Sequence, residues 1–261
     1  MAIDIITAIL LGVLQGITEW LPISSSGHLA LAQNIFGLDV PVVFDIFIHI
    51  GTLAAVCIFY RKDIFSILKS LARFDLKSKE TKLALLIIAA MIPTAIIGFA
   101  FKPFFESMFS SNVLIGIALI LTGIILYVAS KARLSNKPLS LVPALLIGIF
   151  QGIAVAPGIS RSGSTISAGL LQGINAKEAA RFSFLLSIPA VIGATIFEDK
   201  DAAIMIDPTV FLPYVIGAAV AATVGYFSIK FLLRLLEERK FHLFAYYCWL
   251  VGIFAIAASA W

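Results

Sequence analysis

Charge is what this sequence has least of: Asp, Glu, Lys and Arg make up 13% of its 261 residues, against 61% that are hydrophobic. Soluble domains carry about a quarter charged residues and are roughly half apolar. A water-soluble domain of this length could not hide so much apolar side chain in one core, so the bilayer must be the solvent for much of its surface. Cysteine is scarce as well. Cys57 and Cys248 both lie in apolar runs without CxxC spacing, which excludes a zinc cluster or a disulfide framework. No GxxxxGK[ST] run occurs, so nothing supports an ATP-driven pump. The opening MAIDIITAILLGVL has neither a positive n-region nor a small-residue cleavage site, and it reads as retained rather than as a signal peptide. The net charge of +4 does not call for nucleic acid. In a membrane chain, surplus Lys and Arg mark cytoplasmic loops.

What the chain does have is apolar segments of two lengths. Six are long enough to cross a bilayer, at roughly 40–60, 83–101, 113–130, 182–197, 210–229 and 243–260. Four are shorter, at about 3–14, 27–37, 141–154 and 164–174, and they form two pairs, each bracketing a Gly-, Pro- and Ser-rich stretch. Irregular backbone survives at membrane depth only where protein or a wet cavity satisfies it, so each pair reads as a re-entrant helical hairpin.

The two hairpins repeat one another. QGITEWLPISSSGH at 15–28 and QGIAVAPGISRSGS at 151–164 agree at seven of fourteen positions, with a constant offset of 136 and no gap. Gly12 and Gly148 extend the match upstream. The expected fold is therefore an all-α integral membrane protein forming a single membrane domain over 1–261. Repeat one covers about 1–130, repeat two about 141–261, and a cytoplasmic linker about 131–140. Each repeat is a hairpin followed by three crossings. Three is odd, so the second copy starts from the opposite side, giving inverted-topology repeats.

Charge placement agrees with this plan. Segment 61–82 holds seven Lys or Arg, 131–140 three, the hairpin exit Lys177 and Arg181, and 230–242 four more. The two loops expected on the other face hold only Lys102 and Lys200. The positive-inside rule makes the rich face cytoplasmic and puts both termini outside. Of 19 basic residues only Arg161 is left over, inside the second motif.

An Arg inside an apolar hairpin costs about 2.5 kcal/mol or more and usually has a function. Arg161 is flanked by Ser160, Ser162 and Ser164, with Gly158 and Gly163 leaving the backbone bare. Bare N–H groups at a helix start, with a guanidinium beside them, make a phosphate cradle. The first motif supplies Glu19, then Ser24, Ser25, Ser26, Gly27 and His28. Ser25 or His28 could attack phosphorus while the other, or Glu19, handles the proton; the expected arrangement is Ser25 as nucleophile with His28 as its base. Asp45 and His49, four apart, are expected to pair with each other or to orient the site from behind.

With these motifs assembled, the sequence resembles the undecaprenyl-diphosphatase family, the bacitracin-resistance membrane phosphatases. The likeness runs through QGITEWLPISSSGHL, FDIFIHIGTLAAV at 44–56, APGISRSGSTISAG and RFSFLLSIPAVIGAT at 181–195. It implies removal of the terminal phosphate of a polyprenyl diphosphate lipid, recycling the carrier for envelope synthesis, at a site open to the extracytoplasmic face of the cell membrane. It also implies a divalent cation, Mg²⁺ or Ca²⁺, at the family's acidic motif, which maps to Gln15 and Glu19. Glu is the commoner residue at the Gln15 position among bacterial members. An amide can ligate a metal through its oxygen but brings no charge. The resemblance maps the family's serine-histidine segment to Ser24, Ser25, Ser26, Gly27 and His28 and its arginine motif to Pro157, Gly158, Ser160, Arg161, Ser162 and Gly163. Glu19, Ser25, His28 and Arg161 are the expected catalytic residues, and the remaining serines and glycines, with Ser164, the expected phosphate-binding ones. A homodimer is the assembly left open. The competing reading is an inverted-repeat transporter or flippase for a phosphorylated lipid, which would need the clamp but no nucleophile.

Overall fold

The computed structural model describes residues 3–133, 135–198 and 208–259, without the side chains of 196–198 and 208–210. Lys200 and its acidic neighbours Asp199 and Asp201 lie outside the described residues. Among the described residues there are twelve helices and no strand.

The first hairpin is α1 (Ile5–Trp20) and α2 (Ser25–Phe36). The Asp4 carboxylate caps α1, accepting from the N–H groups of Ile6 and Thr7. Pro22 ends it, because the residue before a proline is pushed into extended backbone, and Leu21 sits at φ −70°, ψ 147°. Gly37 closes α2 in the left-handed conformation, φ 62°. The second hairpin is α8 (Leu141–Ile153) and α9 (Arg161–Leu171).

The longer helices following the first hairpin are α3 (Val42–Phe59), α5 (Lys79–Ala100) and α7 (Asn112–Ser130). Those following the second are α10 (Ala176–Glu198), α11 (Pro208–Glu237) and α12 (His242–Ala258). Four described helices are long and apolar enough to cross a membrane: α3, α5, α7 and α11 from Phe211. The other two expected crossings form helices of 23 residues (α10) and 17 residues (α12). Two helices in the connections escaped the sequence reading, which took them as loops: α4 (Arg61–Ala72) and the short α6 (Lys102–Met108).

Packing crosses between the halves. α1 lies along α11, and α8 lies along α5. The repeat-related glycines make both contacts close. A Cβ on Gly12 would come within 2.6 Å of the Gly217 carbonyl oxygen, and one on Gly148 would collide with the Ala90 carbonyl. Small residues at such seams let backbones approach, which is how helices associate where lipid supplies no hydrophobic drive. Beneath the hairpin tips, Trp20 meets the edge of Phe184 at 5.3 Å between ring centres. They share a buried cluster with Tyr60, Leu126, Ile166 and Cys248 that joins both hairpins to α3, α7, α10 and α12.

Candidate active site

The two hairpin turns meet, and both end in the same N-cap. Ser24 Oγ accepts from the Gly27 N–H at 3.3 Å, and Ser160 Oγ accepts from the Gly163 N–H at 3.0 Å. One residue on, the Ser24 carbonyl takes the His28 N–H and the Ser160 carbonyl takes the Ser164 N–H. Ser24 does this at φ 69°, a strained conformation for a residue with a Cβ. Its hydroxyl also receives the Gly158 N–H at 3.1 Å, tying one turn to the other. The contact is tight enough that a Cβ on Gly27 would lie 2.9 Å from Gly158 backbone atoms. Two helix starts, with their free N–H groups and positive dipole ends, therefore converge on one point.

Gly158 has no alternative there. It sits at φ 94°, and a Cβ would stand 2.6 Å from the Ile115 carbonyl oxygen. Gly158→Ala is expected to destabilise the protein by roughly 1–3 kcal/mol from backbone strain alone. Thermal unfolding in detergent should show a lower midpoint, whereas Gly37→Ala, with open space around it, pays only for its φ.

Glu19, on the last turn of α1, is the hub. One carboxylate oxygen, Oε2, receives the Ser25 hydroxyl at 2.5 Å and the Gln15 amide N–H at 3.1 Å. The other, Oε1, faces Arg161 Nη2 at 3.1 Å. His49 Nε2 stands 3.8 Å from Oε2. The Glu19 side chain is 3% exposed and that of Arg161 26%. The carboxylate is thus compensated inside the protein while the guanidinium keeps an outlet. Arg161 Nη1 and Gln15 Oε1 are buried without a hydrogen-bond partner. Such groups are rare inside folded proteins.

The other expected site residues are distributed unevenly. Ser26 lies 3.4 Å from Ser24 Oγ, and Ser162 3.4 Å from Ser160 Oγ. Ser162 donates to the Leu21 carbonyl at 3.1 Å, and a Cβ on Gly163 would lie 3.0 Å from the Ser160 side chain. Ser164 is buried, its hydroxyl without a partner. His28 is turned to another neighbour. Its Nδ1 is 2.8 Å from the Ser24 carbonyl and its Nε2 2.9 Å from the Tyr247 hydroxyl, with the two rings stacked. A carbonyl only accepts, so Nδ1 donates to it, and in the neutral ring Nε2 accepts from the phenol. The Ser25 hydroxyl is thus hydrogen-bonded to Glu19 and not to His28.

Asp45 and His49 lie one turn apart on α3. His49 Nδ1 donates to the Asp45 backbone carbonyl at 2.7 Å, and the Asp45 carboxylate accepts from the Gln33 amide at 3.3 Å. This frees His49 Nε2 to face Glu19.

Sequence reasoning missed Tyr247, Thr122 and two serines of α10. Thr122 donates to the Gly158 carbonyl and accepts from the Ser160 N–H, pinning the second turn. Its position as the one hydroxyl among the apolar residues 113–126 was its only signal. Ser183 and Ser187 line a small cavity with Glu19, Trp20, Arg161, Ser162 and Phe184.

Residues 8–254 match the family model described as "Bacitracin resistance protein BacA". The chain belongs to this family. Relatives in the BacA family extend over nearly the full length. A protein from Halothermothrix orenii named undecaprenyl-diphosphatase is 45% identical over 258 residues, covering 97% of each chain. Proteins of the same name from Carboxydothermus hydrogenoformans and Methanosphaera stadtmanae are 43% and 42% identical, covering at least 97% of either partner. With its apolar helices, this BacA family member is a multi-pass membrane protein.

Proposed function

We propose that this BacA family member hydrolyses a polyprenyl diphosphate, of the kind its relatives' name denotes, to the monophosphate and inorganic phosphate. The observation that carries the reading is the Ser25 hydroxyl donating to Glu19 beside the Arg161 guanidinium. A carrier that binds and releases its cargo has no use for a hydroxyl already bonded to a base. The terminal phosphoryl group would sit against Arg161 and the two helix starts, which offset its charge. Glu19 takes the Ser25 proton as Oγ attacks phosphorus, and the bridging P–O bond breaks to release the polyprenyl monophosphate. Glu19 passes that proton to the departing monophosphate, then takes one from the water that attacks the phosphoserine and returns it to Ser25 Oγ as inorganic phosphate leaves. His49 would hold Glu19 in place, and Tyr247 would hold His28 at the edge of the pocket.

A divalent cation suits two of these residues. Gln15 Oε1 is a buried oxygen without a partner next to a carboxylate, which is the donor type Mg²⁺ and Ca²⁺ prefer. No cluster of three or more His, Cys, Asp or Glu that could hold a metal occurs among the described residues, so the ion would share its coordination with the diphosphate. Gln15 and Glu19 would hold it, and it would neutralise phosphate charge. Support for the inverted repeat comes from the exchanged packing: each hairpin's first helix lies on a long helix of the other half, through glycines 136 residues apart. That plan, with repeats over about 1–130 and 141–261, puts both termini and the pocket mouth on the extracytoplasmic side.

The test is phosphate release from undecaprenyl diphosphate by detergent-purified protein, with and without EDTA, alongside His28→Ala. Release that EDTA suppresses, and that falls only about 10-fold or less in His28→Ala, is the expected result, since His28 is not bonded to Ser25. Complete loss in folded His28→Ala would make His28 the base or nucleophile. Absence of release from folded wild-type protein would overturn the hydrolase and turn attention to transport in liposomes.

A further inference from the structure

The helix α4 does nothing for the candidate site and buries none of its residues. It is nevertheless strongly two-faced. Ile64 and Ile67 rest against the main core cluster, whereas Phe65 and Leu68 are 68% and 59% exposed, and Phe74 just beyond is 87% exposed. At about 100° per residue, Lys62, Lys69 and Arg73 fall within about 40° of one another, flanking that apolar strip. The one acid on α4, Asp63, is turned inward to Arg181 at the start of α10. Among the described residues, Lys62, Lys69 and Arg73 have no carboxylate partner.

Connectivity fixes where this helix lies. It begins one residue after the membrane-crossing α3 ends and is followed by the crossing α5. It is held at the level where two spans leave the bilayer. An exposed apolar strip bordered by cations at that level matches acyl chains on one side and phosphate headgroups on the other. We propose that α4 is an in-plane docking helix for anionic phospholipid, with Phe65 and Leu68 inserted below the headgroups and Lys62, Lys69 and Arg73 binding their phosphates. A protein partner would need a dry complementary surface instead, and the flanking stripe of unpaired cations favours lipid.

The proposal is separate from the catalytic reading and is tested on the full-length protein. Lipid retained by the detergent-purified protein is titrated by native mass spectrometry, using phosphatidylglycerol or phosphatidylcholine, with inorganic phosphate as competitor. Phosphatidylglycerol should bind preferentially and resist millimolar phosphate. Lys62→Gln/Lys69→Gln/Arg73→Gln should weaken it on the order of 100-fold, and Lys69→Gln alone about 5-fold. Phosphatidylcholine binding and phosphate release in detergent should be unchanged in these variants. Equal binding of both lipids, displacement by inorganic phosphate, or a triple variant within about 3-fold of wild type would each overturn the proposal.

Discussion

Ser25→Ala and Glu19→Gln are each expected to lower phosphate release by about 10²–10⁴-fold, and the double variant is expected to be little worse than either. The reason is that the two side chains act as one unit. A serine hydroxyl is a poor nucleophile until a base takes its proton, and at 2.5 Å the Glu19 oxygen is already in position. Removing the hydroxyl leaves a base with nothing to activate. Removing the charge leaves a hydroxyl that must ionise unaided. Glu19→Gln is a fair probe of chemistry, since it preserves volume and leaves an amide oxygen for Ser25 to bond. Steady-state release measured for all four combinations decides the matter. If the two single losses multiply in the double variant, Ser25 and Glu19 act in separate steps and the proposed pairing fails.

Much of this arrangement was legible in the residues, and what was not has a physical explanation. The hairpins could be read because they combine short apolar runs with Gly and Pro, and because a 136-residue offset printed the same cap twice. Pro22 and Gly158 break the backbone where the pattern breaks. Arg161 stood out because a lone cation in an apolar run is costly. The partner of Ser25 could not be read. Glu19 and His28 are both within reach along the chain, and only the path from α1 through Pro22 into α2 decides which one meets the hydroxyl. His49 was placed near the site, but its neighbour there, Glu19, could not be named, since spacing along one helix reveals nothing of the helix that packs against it. Tyr247 is 219 residues from His28 and left no mark in the sequence. α4 is hidden by its charges: the Lys and Arg of segment 61–82 read as a loop and mask the 3.6-residue rhythm of its apolar residues.

Arg161 is the harder residue to interpret by mutation, because it does two things. It pairs with a buried carboxylate at 3.1 Å, and in the proposed mechanism it also holds the phosphoryl group. Arg161→Ala should therefore lower turnover by roughly 10²–10³-fold through loss of phosphate binding in the transition state. It should also destabilise the protein, since Glu19 would be left buried without its counter-charge. Breaking a fully buried pair costs about 3–5 kcal/mol, and a guanidinium that is a quarter exposed puts this one toward the lower end. Activity loss alone cannot separate the two effects. Arg161→Met with Glu19→Gln separates them: with both charges gone the stability penalty should largely disappear, and thermal unfolding should return close to wild type, while phosphate release stays absent. Arg161→Lys supplies the second arm. A lysine retains the charge but not the planar fork, so the protein should fold normally and bind substrate, yet turn over at least about 10-fold more slowly. Near-normal turnover in a well-folded Arg161→Met variant paired with native Glu19 would mean that the guanidinium serves structure only, and the phosphate would then have to be held by the helix starts at Ser25 and Arg161 through their backbone N–H groups alone.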